Sequence, residues 1–125
     1  MAASQIYRSA RVVLLNSTNE NLVVQGVATL TGGWGDKQAP LQDSVIKEQS
    51  AAEWLNTSCE LGVGASAFVR LGSSHGYLTV RWNLPWTGRF HVAIEEPAGI
   101  GCTFTVDESR PDAVVMMVTV NEGPS

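Results

Sequence analysis

Positive charge is scarce in this chain. Its 125 residues hold 8 Lys and Arg against 12 Asp and Glu, for a formal net charge of −4 and a pI near 5.0. A partner held by neutralising phosphates meets a basic face, so this balance argues against nucleic-acid binding. An anionic lipid surface is disfavoured for the same reason, which leaves neutral or zwitterionic partners. Charged residues of both signs make up only 16%, while apolar ones reach 44%, a composition that suits a packed core and not a disordered chain.

Long hydrophobic runs are missing too. The longest early one is Val12-Val13-Leu14-Leu15, far short of the roughly 20 apolar residues of a transmembrane helix. Between Met1 and Arg8 there is no apolar core of the kind a secretory signal carries, which predicts synthesis as a cytoplasmic protein. Cysteine is limited to Cys59 and Cys102, and in that compartment buried thiols are expected in preference to a bridge. The N-x-S/T sequons at Asn16 and Asn56 have meaning only in a secreted chain.

Reactive constellations are equally sparse. His75, His91, Cys59 and Cys102 fall in four separate segments, at spacings that match neither a zinc motif nor a Cys–His pair. Glu95-Glu96 and Asp107-Glu108 pair carboxylates as a glycosidase does, but adjacent residues on a strand point to opposite faces, so they read as solvated surface charge. Gly62-Val63-Gly64 and Gly99-Ile100-Gly101 lack the strand-to-helix setting and Gly-Lys-Ser ending of a phosphate loop. With no acid, base and nucleophile at interpretable spacing, the expectation is a binding protein without metal or cofactor.

What the chain does have is alternation. Leu78, Val80 and Trp82 alternate with Tyr77, Thr79 and Arg81; Phe90, Val92 and Ile94 with Arg89, His91 and Glu95; Cys102, Phe104 and Val106 with Thr103 and Thr105. Leu22, Val24, Ala28 and Leu30 share one parity around Gly26, and Ala67, Val69 and Leu71 oppose Phe68 and Arg70. An apolar run from Ala113 to Val120 closes the series before a tail, residues 121–125, expected to fray. Turn chemistry separates these segments at Asn16–Asn21, Gly32-Gly33, Gly72–Gly76, Pro97–Gly99 and Ser109–Asp112. The pattern predicts one all-β domain over residues 1–125, a sandwich or barrel. Least legible is the span from Asp36 to Cys59, where Val45-Ile46 suits a short strand and Ser50–Leu55 suits a helical turn.

Tryptophan is the conspicuous recognition residue. Trp82-Asn83-Leu84-Pro85-Trp86-Thr87-Gly88 closes one strand and leads into the next, so it falls at a sheet rim, where binding residues concentrate. Parity sends Trp82 into the core, whereas Trp86 follows Pro85 in the connection and Trp34 sits in a Gly32-Gly33-Trp34-Gly35 bend. Rim indoles suit a membrane interface, because the ring is apolar with one polar N–H; they suit sugars equally, as flat stacking platforms.

Several of these motifs, in order, resemble the aegerolysins: Ala10–Asn16 followed by Asn21-Leu22-Val23-Val24, then Leu30–Gly35, Gly64-Ala65-Ser66-Ala67-Phe68, a turn at Gly76, and Trp82-x-x-Pro85-Trp86-x-Gly88. Leu84 stands where that family has Cys. The resemblance implies an antiparallel β-sandwich related in architecture to actinoporins and fungal fruit-body lectins. It also implies binding to sphingolipid- or sterol-containing membranes, in some members with a larger perforin-like partner that forms the pore. Trp34 and Trp86 match positions that serve lipid contact in the family, and Glu60 is the counterpart of a lipid-contacting acid. Tyr77 and Arg89 are added as head-group contacts, Arg89 pairing with a phosphate. The competing reading is a lectin-like module in which Trp86 stacks on a sugar and Asn83 or His91 supplies hydrogen bonds.

Overall fold

Alternation becomes ten strands in the computed structural model, which describes residues 5–122. They are β1 (Arg8–Asn16), β2 (Leu22–Thr31), β3 (Gly33–Trp34), β4 (Val45–Ile46), β5 (Ser50–Ser58), β6 (Ala65–Ser73), β7 (Gly76–Leu84), β8 (His91–Glu95), β9 (Ile100–Asp107) and β10 (Ala113–Glu122). Two five-stranded sheets result, in the orders β3-β5-β1-β10-β9 and β4-β2-β6-β7-β8. All pairings are antiparallel except β1 with β10, which run parallel from Ser9 opposite Ala113 to Asn16 opposite Val120.

The core lies between the sheets. Ala10, Val12, Leu14, Trp54, Met116, Val118 and Val120 enter it from the first; Leu22, Val24, Val69, Leu71, Leu78, Val80 and Trp82 enter it from the second. Two stacked layers of this kind bury one face of every strand and leave the other to water.

Four local expectations change. Ser50–Leu55 is strand, not helical turn, because β5 pairs with β1 along its whole length and buries Trp54 beneath it; tertiary pairing overrides local propensity. In β2 the register slips between Val24 and Gly26, since Val24 faces Leu71, Gly26 faces Arg70 and Val27 faces Val69. This bulge inserts one residue and exchanges the two faces beyond it, so Ala28 turns outward, and a second slip between Thr29 and Thr31 leaves Leu30 itself unpaired and 58% exposed. Cys59 is exposed and Cys102 half-buried, both as free thiols, so the expected burial fails for Cys59. Asn121 and Glu122 continue β10 opposite Gly101 and Ile100; residues 123–125 of the expected tail, like residues 1–4, lie outside the described residues.

The ends of β1 mark two poles. At the Asn16 pole that side chain donates to the carbonyls of Glu20, Ile46 and Lys47 at 2.9, 3.0 and 3.2 Å, while its Oδ1 accepts from the Thr18 backbone N–H and hydroxyl. Asn16 and Asn56, the two sequon asparagines, are thus both buried and engaged inside the protein.

Candidate functional site

The Arg8 pole is built around a sharp corner. Thr31 ends β2 in one sheet and Gly33 begins β3 in the other, so the chain changes sheets across Gly32 alone. Gly32 has φ +77°, and any Cβ there would collide with the Thr57 carbonyl. Only glycine meets both demands. Its result is Trp34, held opposite Asn56 on the edge of the first sheet.

Trp34 is half-buried and meets Trp82 edge-on, with ring centroids 6.1 Å apart and planes at 70°. The buried Trp82 Nε1 donates to Asn56 Oδ1 at 3.1 Å, and Asn56 Nδ2 donates to the Gly33 carbonyl at 2.8 Å. One asparagine therefore ties the core indole to the strand that displays the rim indole. Beside Trp34 opens a cleft of about 410 Å³ between Gly33, Thr57, Ser58, Cys59, Glu60 and Val63. The loop behind it packs backbone to backbone, since a Cβ on Gly64 would run into the Leu84 carbonyl and Pro85.

Trp86 lies beyond that contact. The Arg8 guanidinium carbon stands 4.0 Å from the centre of its ring, and Arg8 Nη2 and Nε donate to the Trp86 carbonyl at 2.7 and 3.1 Å. A third bond runs from Arg8 Nη1 to the Tyr7 carbonyl at 2.8 Å, and the Tyr7 ring meets Trp86 at 6.1 Å and 63°. Cation–π attraction of this kind contributes about 0.5–2 kcal/mol, more as water is excluded. Because Arg8 is also the β1 partner of Ser58, which lines the Trp34 cleft, the two tryptophans sit at one pole, neither sealed in the core.

Of the residues singled out in the sequence, Trp34 and Glu60 share the cleft, and Trp86 lies outside its lining at the same pole, against Arg8. Arg89 is exposed in the same β7–β8 connection as Trp86. Asn83 lies on the outer side of the second sheet opposite His91, in a separate shallow cavity of about 110 Å³. Tyr77, the second residue of β7, stands at the other pole, seven residues of strand from Leu84, roughly 23 Å at the usual rise, and does not join the tryptophans.

Arg8 is the residue that sequence reasoning missed. It shares parity with Ala10, Val12 and Leu14, so a charged side chain on the inward face at a strand end was the available signal. Among the described residues no group of three or more His, Cys, Asp or Glu is placed to hold a metal, and no helix is long and apolar enough to cross a membrane. What the pole offers is contact chemistry: indole edges, one carboxylate and two guanidinium groups.

No protein-family model matches the chain, and no curated protein sequence does. Among solved structures the chain is similar to the lipid binding protein Nakanori, with a TM-score of 0.70 at 10% sequence identity, over 96% of this chain and 73% of that one. At so low an identity the likeness is one of fold, and the two-sheet all-β sandwich is what the proteins share.

Proposed function

We propose that this protein binds membrane lipids, without chemistry on them, through the pole that carries Trp34 and Trp86. One observation carries the reading: two half-buried indoles share a pole with guanidinium and carboxylate groups on a chain of net negative charge. Indoles settle at the boundary between head groups and acyl chains. A zwitterionic head group suits the mixed charge, its phosphate toward Arg8 and Arg89 and its amine toward Glu60.

The fold shared with a lipid-binding protein supports this reading, and so does the aegerolysin resemblance. That resemblance favours sphingolipid head groups in sterol-containing membranes and a role as the targeting component beside a perforin-like protein. The sugar reading of Trp86 is weaker, because Arg8 covers one face of the ring and Tyr7 meets it edge-on.

Vesicle sedimentation tests the proposal with phosphatidylcholine–cholesterol liposomes, alone or with sphingomyelin or ceramide phosphoethanolamine. Binding is expected on the sphingolipid vesicles, and Trp34→Ala or Trp86→Ala should each weaken it about tenfold, equivalent to about 1.4 kcal/mol. Folded protein that sediments with none of the three rejects lipid binding. Equal binding to all three rejects the sphingolipid preference.

A further inference from the structure

The pole opposite the tryptophans holds the larger cleft, about 690 Å³, within the size range of small-molecule sites. Its floor is Gly72, directly across the β6–β7 pair from Tyr77, so the residue facing the tyrosine in register has no side chain. Tyr77 is 61% exposed, and Arg70 approaches its ring at 5.5 Å from the centroid. Gln25 lies over the glycine, with its Cγ and Nε2 only 3.0 Å from where a Cβ on Gly72 would stand.

Polar groups make the rim. Glu20 accepts from the Ser74 backbone N–H at 2.7 Å and from its hydroxyl at 2.6 Å, with His75 Nε2 at 3.9 Å. These contacts bind the β1–β2 turn to the β6–β7 turn and shape the wall. Asn21 accepts from the Glu48 backbone N–H through Oδ1, and neither its amide nitrogen nor the Gln25 side-chain amide has a hydrogen bond to another described residue. Two amides, the imidazole and an exposed aromatic ring with Arg70 near it therefore face one open space.

We propose that this cleft is a binding site for a neutral saccharide, which stacks on Tyr77 and takes hydrogen bonds from Asn21, Gln25 and His75. Charge and polarity select that chemistry. Glu20 is held below the ordinary glutamate range by its Ser74 bonds, so at neutral pH it is an anion that disfavours phosphate or carboxylate ligands. A purely apolar ligand would strand the amides without partners. A pyranose presents C–H groups to an aromatic face and hydroxyls around its edge, the combination this cleft matches. The site is independent of the tryptophan pole, so it allows one molecule to touch a membrane and a glycan at opposite ends.

The test is ¹⁵N NMR titration of the whole protein with methyl glycosides of galactose, mannose, glucose, N-acetylglucosamine and N-acetylgalactosamine, at millimolar concentrations. At least one is expected to shift amides of Gly72 to Tyr77, and Tyr77→Ala should weaken that binding about tenfold or more while vesicle sedimentation is unchanged. Because Tyr77 is exposed, the variant is expected to keep its fold, which its own amide spectrum reports. The proposal is overturned if no glycoside moves those amides, if shifts map instead to Trp86, or if Tyr77→Ala binds as well as the parent.

Discussion

The two poles of the sandwich are stabilised by different means. At the Arg8 pole aromatic rings are anchored to the core, Trp34 by its edge contact with Trp82 and by Asn56, Trp86 by Arg8. At the Asn16 pole hydrogen bonds dominate, with one buried amide serving five partner atoms and Glu20 clamping the neighbouring turn. A rim braced by ring packing displays apolar surface in a set orientation, which suits an interface with lipid. One braced by polar ties leaves hydroxyls and amides near water, which suits a soluble, hydroxylated ligand.

The cysteines report on this contrast with the largest expected effect. Cys59 is exposed at the lip of the Trp34 cleft, while Cys102 is half-buried near the start of β9, its thiol pushed up to about 12 by burial and secondarily by the Glu96 carboxylate. At pH 8 only about one Cys102 in ten thousand is then a thiolate, so iodoacetamide should modify Cys59 roughly a hundredfold faster or more. Peptide mass spectrometry over a time course measures the two rates, and equal rates would remove the difference in environment. A bulky maleimide on Cys59 should block vesicle binding and leave the Tyr77 cleft responsive.

Next comes the bracing itself. Trp82→Ala removes the largest fully buried side chain and the donor to Asn56, so urea unfolding should show a loss of about 3–5 kcal/mol. Tyr77→Ala, at an exposed position on the same strand, should stay within about 0.5 kcal/mol. Similar costs for both would mean that Trp82 does not anchor the pole.

The smallest effect is titration at the far pole. Hydrogen bonds from the Ser74 hydroxyl and then its N–H lower the Glu20 pKa, with a minor contribution from His75, against the opposing influence of burial. A folded-state pKa below the unfolded one makes this contribution complete above the unfolded value and lost as pH falls through the folded value. Glu20→Gln should therefore be less stable than the parent at neutral pH and converge with it in acid, below the ordinary glutamate range. Ser74 amide shifts should follow that titration while Trp34 and Trp86 indole signals stay still; movement of the indoles would show that the poles are coupled.

Much of the architecture was legible because strand alternation is a local property. The parities of Leu78, Val80 and Trp82, and of Ala67, Val69 and Leu71, depend only on the two-residue repeat, and each of these residues is buried. Leu30 broke the rule because the register slips of β2, at Gly26 and at Leu30 itself, carry no unambiguous mark in one sequence. Ser50–Leu55 broke it because the β1 edge that recruits β5 is distant in the chain.

By itself the sequence determined that the chain is all-β, that Trp82 belongs inside, and that Trp34 and Trp86 follow the turn-forming Gly32 and Pro85, since period, parity and glycine placement are written residue by residue. Only tertiary structure decided that those two tryptophans share a pole, that Arg8 reaches Trp86 from 78 residues away, and that Tyr77 faces a different cleft. Such relations depend on which strands become neighbours and which way each one runs. That is settled by the burial of all ten strands together, not by any one of them.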